Sequence, residues 1–233
     1  MKILGHRGAS AFAPENTLAA FQLALDLGAH GIELDVHLTK DEEVVVFHDL
    51  KMARMTGQAG RICDYTLEEL QRFDFPIPTL EAVYQLVNAH ADHPPVINVE
   101  LKTDTAPYPA LPAKLLALAH HASNCDIIYS SFNHYSLLAL RQLDASARIG
   151  LLYNMGMVDP HKYAAQLRAD ALHPPWKVVA AFPQMVADCH AAGIAVNVWT
   201  VNDLPTLQLL QAAQVDAIIT DRLFPCPRAE ATL

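Results

Sequence analysis

The chain has 233 residues, is 52% hydrophobic and 18% charged, and carries a formal net charge of −9. That much apolar sequence supports a large core, and nine glycines without a low-complexity tract exclude a disordered chain. The acidic balance also excludes a protein built to grip a nucleic-acid backbone, because that affinity comes from clustered lysine and arginine.

Lys2–Leu4 reads as a short apolar strand that runs into the loop GHRGASAFAPENT at residues 5–17. Thr17–Leu27 carries Leu18, Phe21 and Leu25 at helical spacing, and Gly28 stops it. Gly31–Leu38 alternates as a strand, and Val44–Phe47 is a further extended, hairpin-like piece. The polar stretch Asp49–Phe75 holds one short helix at Leu67–Arg72. It is too long for an ordinary connection and reads as a lid or small insertion. A helix over Thr79–Ala91 has Glu81 in its first turn. Strands then follow at Val96–Leu101, Asp126–Ser130, Arg148–Leu152, Ala171–His173, Ala195–Thr200 and Ala217–Thr220. Between them lie helices Ala110–His121, Tyr135–Leu143, His161–Arg168, Pro183–Ala192 and Leu204–Ala213, and a tail runs over Phe224–Leu233.

Such alternation predicts a parallel sheet with crossover helices. Eight strand–helix steps in 233 residues fit an α/β fold of the TIM (β/α)8 barrel type. We expect one domain over residues 1–233 with an insertion at about 49–75. A doubly wound open sheet is the alternative, weakened by the missing GxGxxG after the first strand. Cys63, Cys125, Cys189 and Cys226 form no CxxC pair and read as reduced thiols, which points to a cytoplasmic setting. The N-terminal MKILGHRG lacks the apolar segment of a signal peptide, and no run of 18 apolar residues exists, so no membrane span is expected.

In a barrel of this kind, chemistry collects at the C-terminal ends of the strands. His6 and Arg7 fall there, as do Glu33, Asp35 and His37, His48 and Asp49, Glu100 and Lys102, Asn197 and Trp199, and Asp221. Residues at i and i+2 share a strand face, so Glu33 and Asp35 point the same way, and so do Glu100 and Lys102. If the two strands are neighbours, three carboxylates converge, and such a cluster demands a cation. Oxygen ligation favours a hard ion, while His37 on the same face keeps zinc open. The alternative is that these acids only pair with Arg7 or Lys102. His6 and His48 suit an acid and a base on opposite sides of a reacting bond. Arg7 and Lys102, added to a metal, suit a phosphoryl group.

Other positions carry two readings each. Glu15 and Asn16 either cap the first helix or join the site. Asp49 either orients His48 or starts the next loop. Trp199 either walls a small-ligand pocket or packs in the core. Tyr153, Asn154 and His173 sit at strand ends without an assigned role, and His90, His93, His120 and His121 are expected in the surface or in packing.

HRG at 6–8, PENT at 14–17, GIELDV at 31–36, TKD at 39–41, VVVFHD at 44–49, IPTLEAV at 77–83 and ELK at 100–102 resemble the glycerophosphodiester phosphodiesterase family. VWTVN at 198–202 and TD at 220–221 match its C-terminal half, so the likeness spans about residues 3–222. The resemblance implies a TIM barrel with a small insertion after the HD motif. It implies hydrolysis of glycerophosphodiesters to sn-glycerol 3-phosphate and an alcohol. It puts metal ligands at Glu33, Asp35 and Glu100, catalytic histidines at His6 and His48, phosphate contacts at Arg7 and Lys102, and an aromatic near the glycerol at Trp199. One divalent cation is implied, Mg2+ or Ca2+ ahead of Mn2+ or Zn2+. The expected partners are small-molecule glycerophosphodiesters, and the chain is expected to be a monomer or homodimer. The likeness is to the short, signal-less bacterial forms. A lysophospholipase D-type reaction on the same fold and a non-catalytic glycerophosphodiester-binding barrel are the competing readings. A metal-dependent amidohydrolase is disfavoured by the lack of an HxH after the first strand.

Overall fold

Parallel strands covered by helices are buried on both faces, and the valine- and isoleucine-rich runs of this chain behave that way. All eight residues of Gly31–Leu38 and all six of Val96–Leu101 are buried in the computed structural model, which describes residues 1–90, 94–104 and 106–224. Its strands are β1 (Lys2–His6), β2 (Gly31–Leu38), β3 (Val44–Val46), β4 (Val96–Leu101), β5 (Asp126–Ser131), β6 (Ile149–Leu152), β7 (Ala171–His173), β8 (Ala195–Val198) and β9 (Ala217–Thr220). The helices are α1 (Leu18–Asp26), α2 (Ala53–Thr56), α3 (Leu67–Leu70), α4 (Leu80–Asn88), α5 (Leu111–Leu118), α6 (His134–Leu143), α7 (Pro160–Gln166), α8 (Trp176–Ala181), α9 (Gln184–Ala191) and α10 (Leu204–Ala212).

Strand β3 runs antiparallel to β2, with Val46 opposite Val36. The other eight strands are parallel, in the order β1, β2, β4, β5, β6, β7, β8, β9. Because β1 pairs with both β2 and β9, the sheet closes on itself. This closed eight-stranded barrel with helices between its strands is the predicted (β/α)8 architecture, and the ring of pairings removes the open-sheet alternative. Several helices begin where a side-chain oxygen satisfies a free backbone N–H. Thr17 does this for α1, Thr79 for α4, Asn133 for α6 and Asp203 for α10.

Three details differ from the expected elements. Strand β1 reaches His6 itself, which pairs with Glu33, so the histidine stands on the sheet and not in a loop. Helix α8 was not expected; at six residues it is too short for helical periodicity to show. The segment after β3 contains α2, a single 3-10 turn at Ile62–Asp64, and α3, where only the last was expected. Its few apolar residues are not scattered. Met52, Ile62 and Leu70 bury against Val45, Phe47 and Ile77 as a second small core. The expected helix end at Ala91, His93, Cys226 and the tail beyond Phe224 lie outside the described residues. Among the described residues no helix is long and apolar enough to cross a membrane.

Candidate functional site

The register of the sheet brings the predicted acids together. Asp35 on β2 lies beside Glu100 on β4, and Glu33 lies beside His6 on β1. Carboxylate oxygens of Glu33, Asp35 and Glu100 all fall within 4.8 Å of one another, and all three residues are buried. Burial and the neighbouring Asp35 and Glu100 charges push Glu33 well above the usual carboxylate range. Burial, with Asp35 beside it, raises Glu100 to about 7. Burial works against Asp35 as well, but the charges of Lys102, Arg7 and His48 outweigh it and hold Asp35 at about 2. Two of three clustered acids thus resist ionisation on their own. A hard-oxygen donor set of this kind fits one divalent cation, whose charge would replace the missing compensation.

Lys102 donates from Nζ to Glu100 Oε1 at 2.7 Å and lies 3.6 Å from Asp35 Oδ1. Arg7 donates its backbone N–H to Glu33 Oε2 at 3.0 Å, and its Nε is 3.4 Å from Asp35 Oδ2. The pairing of acids with Arg7 and Lys102 is therefore present, alongside the cluster itself. His37 does not join the cluster. Its Nδ1 faces Tyr108 Oη at 3.0 Å and its Nε2 faces the His48 carbonyl at 3.1 Å, so both ring nitrogens are engaged elsewhere. The softer, zinc-favouring donor set loses its nitrogen for that reason.

His6 and His48 are each held through Nδ1 by a carboxylate. Asp221, just past β9, lies 2.5 Å from His6, and Asp49 lies 2.6 Å from His48. Both pairs leave Nε2 as the remaining ring nitrogen. Asp49 thus contacts the histidine it follows, whereas the partner of His6 lies 215 positions away in sequence. Ser10 and Asn202 also donate to Asp221, at 3.0 and 2.6 Å.

The loop after β1 explains the motif HRG. Gly8 has φ 83°, and a Cβ there would stand 2.5 Å from the Ala20 backbone, so only glycine lets the loop press onto α1. Arg7 and Asn16 also take left-handed backbone angles, φ 55° and 57°. Non-glycine residues accept this strain where the surroundings over-determine it, as at functional sites. Neither Glu15 nor Asn16 caps α1, since Thr17 does. Glu15 accepts from Arg7 Nη1 at 2.9 Å, and Asn16 donates to Asp35 Oδ2 at 2.9 Å.

A cavity of about 130 Å³ at the C-terminal mouth is lined by His6, Arg7, Glu33, His48, Glu100, Lys102 and Trp199. Asp35 alone of the predicted site residues stands behind its wall, 1% exposed. Trp199 is anchored by its indole N–H to the His173 carbonyl at 2.8 Å and meets Phe132 edge to face. Phe132, Leu152 and Ile219 add an apolar part to the lining. No sequence signal marked them, because an apolar residue at a strand end looks like any other core residue. Tyr153 and His173, left without a role, are buried packing residues.

The chain matches the glycerophosphoryl diester phosphodiesterase family model over residues 6–223. It is 38% identical over 231 residues to a glycerophosphodiester phosphodiesterase of Caldanaerobacter subterraneus subsp. tengcongensis, covering 94% of this chain and 93% of that protein. A glycerophosphodiester phosphodiesterase of Bacillus altitudinis is 36% identical, covering 96% and 95%. Among solved structures, a glycerophosphodiester phosphodiesterase of Thermotoga maritima superimposes with a TM-score of 0.82 at 31% identity, covering 95% and 94%. An Oleispira antarctica phosphodiesterase, solved with its product sn-glycerol-3-phosphate, superimposes with a TM-score of 0.84 at 28% identity, covering 95% and 93%. With its barrel, its buried acids and these relatives taken together, the chain belongs to the glycerophosphoryl diester phosphodiesterase family.

Proposed function

We propose that this glycerophosphodiester phosphodiesterase cleaves glycerophosphodiesters to sn-glycerol 3-phosphate and an alcohol, using one divalent cation and His6 and His48 as its proton-transfer pair. The catalytic unit is the single barrel domain, with the 49–75 insertion as part of it. One observation carries the reading: two histidines, each held through Nδ1 by a carboxylate, line the same small cavity as the acidic triad and two basic side chains.

In this reading Glu33, Asp35 and Glu100 hold the cation, as their donor chemistry suits Mg2+ or Ca2+. When bound, the cation supplies Lewis-acid stabilisation of negative charge on the phosphoryl oxygens. Arg7 and Lys102 bind those oxygens and orient the diester. One histidine takes the proton from the attacking oxygen. The other gives a proton to the alcohol oxygen as its bond to phosphorus breaks. Asp49 and Asp221 fix each imidazole through Nδ1, which leaves Nε2 as the transferring nitrogen. Trp199 and the apolar part of the lining receive the glycerol carbon face and exclude water.

The test is release of sn-glycerol 3-phosphate from glycerophosphocholine by metal-stripped protein, followed by addition of Mg2+, Ca2+, Mn2+ or Zn2+. Metal-dependent release of glycerol 3-phosphate and choline is expected. Phosphocholine as product would put the cut on the other ester bond, and full activity in the stripped protein would remove the cation from the reaction. Turnover of lysophospholipid in preference to the deacylated diester would favour the lysophospholipase D-type alternative.

A further inference from the structure

One side chain outside the cavity touches both arms of the site. Arg54 lies on α2, in the insertion, and its guanidinium reaches two carboxylates at once. It donates from Nε to Asp49 Oδ2 at 2.6 Å and from Nη2 to Asp49 Oδ1 at 3.0 Å. It also donates from Nη1 to Glu15 Oε2 at 3.0 Å and from Nη2 to Glu15 Oε1 at 2.6 Å. Asp49 is the residue that holds His48, and Glu15 is the residue that holds Arg7. A continuous chain of hydrogen bonds therefore runs His48–Asp49–Arg54–Glu15–Arg7, from the loop after β3 to the loop after β1. We infer that Arg54 is a positioning residue, which ties the insertion across the mouth and sets His48 and Arg7 in register with each other. This rests on the roles proposed above for His48 and Arg7.

Local structure supports the assignment. Met52, fully buried in the insertion's own core, anchors the start of α2, and Gly57 ends the helix at φ 70°. The chain thus turns back within five residues, which brings Arg54 over Asp49. The two-carboxylate grip needs a planar fork with several N–H groups, which arginine has and lysine lacks.

Charge is the second part of the argument. Glu15 and Asp49 lie directly behind Arg7 and His48, the groups proposed to meet an anionic phosphodiester. A Glu15 bound to Arg7 alone would cancel the charge that Arg7 needs for the phosphate. With Arg54 sharing its single positive charge between the two acids, more of the Arg7 field is left for the substrate. The hydrogen bonds from Arg54 are also the largest cause of the low Asp49 pKa, about 2, which keeps the carboxylate that contacts His48 ionised.

Exposed ion pairs contribute little to stability, and the Arg54 side chain is 47% exposed, so its removal should leave the fold intact. The experiment compares Arg54→Ala, Arg54→Lys and His48→Ala for glycerophosphocholine turnover and thermal unfolding. We expect Arg54→Ala to lower kcat roughly 10- to 100-fold, the cost of a displaced catalytic group. Guanidinium chloride at low concentration should restore part of it, while sodium chloride of equal ionic strength should not. Arg54→Lys should fall between, since it keeps the charge and loses the fork. Wild-type kcat and KM in Arg54→Ala would overturn the inference, as would a loss that guanidinium leaves untouched. If Arg54→Ala fails to fold, full activity in Arg54→Lys would overturn it too. An active His48→Ala would instead sink the reading of His48, whatever Arg54 does.

Discussion

The two ends of the barrel are built from the same strands and have opposite character. Toward the N-terminal end Leu4, Val96, Ile128 and Ala171 close the interior with apolar side chains, and Ile219 joins this cluster to the wall of the C-terminal cavity. Below them a cavity of about 740 Å³ opens to that end, much of it lined by apolar residues such as Leu4, Val96 and Val215. At the C-terminal end the interior positions of the same strands become His6, Glu33, Asp35 and Glu100. Moving two or four residues along a strand keeps the side chain inside and changes its job. On β4 the succession is Val96, Asn98, Glu100, from plug to polar middle to candidate ligand. The larger cavity lies at the end without the clustered acids and histidines, so size and side-chain chemistry point to different ends. What sets the C-terminal end apart is the concentration of buried charge, which is costly and is typical of functional sites.

Substitutions can break this contrast, and the largest effect should fall at the C-terminal end. His6→Ala and His48→Ala should each lower kcat by about 10²- to 10⁴-fold, as expected for a proton-transfer group. Their unfolding temperature should stay near that of the unmodified protein. Assaying sn-glycerol 3-phosphate release beside a melting curve checks both halves of the claim. Glu100→Gln should come next, weakening divalent-cation binding by more than about tenfold, since even partners of metal ligands cost that much. Calorimetric titration with Ca2+ or Mg2+ reads this directly, and an unchanged affinity would remove Glu100 from the donor set.

At the other end the pattern should reverse. Ile128→Ala, in the plug, should cost about 2–5 kcal/mol of stability, the usual range for emptying a core site. Its kcat and KM should remain those of the parent, measured below the transition. A large rate loss without a stability loss would mean that the two ends are not separable.

The polar middle layer offers the smallest and most selective test. His173 on β7 is fully buried, its Nε2 3.0 Å from Asn197 Nδ2. Burial lowers its pKa from 6.5 to about 3, so it stays neutral in the folded protein. The unfolded chain takes up that proton as pH falls below 6.5, and the folded one does not until about 3. Stability from this group is therefore complete above pH 6.5 and declines through the window below it, by about 1.4 kcal/mol per pH unit. Urea unfolding at pH 7 and pH 5 should show a smaller loss in His173→Gln than in the parent. Equal losses would assign the acid sensitivity to other groups.

How much of this was readable beforehand depends on how local the cause is. Glu33 with Asp35, and Glu100 with Lys102, are pairs two residues apart, so strand periodicity alone puts each on one face. Asp49 follows His48 directly and was a visible candidate for orienting it. Asp221 was seen at a strand end but could not be joined to His6, because closure of the barrel through β1 and β9 makes that contact. Arg54 gave no signal at all: an arginine in a polar insertion looks like surface charge. His37 misled for the opposite reason. Its strand face was read correctly in principle, yet Tyr108 and the His48 carbonyl, neither adjacent in sequence, take both of its nitrogens.

By itself the sequence determined the alternation of strands and helices, the polar ends of the strands and the chemical types gathered there. These follow from periodicity and from the cost of burying charge, both of which act over a few residues. Only the tertiary structure decided which strand end faces which. Closure of the sheet brings Asp221 to His6, register sets Asp35 beside Glu100, and the insertion's small core carries Arg54 over Asp49 and Glu15. Those contacts depend on shape and distance between segments far apart in the chain, which no local pattern encodes.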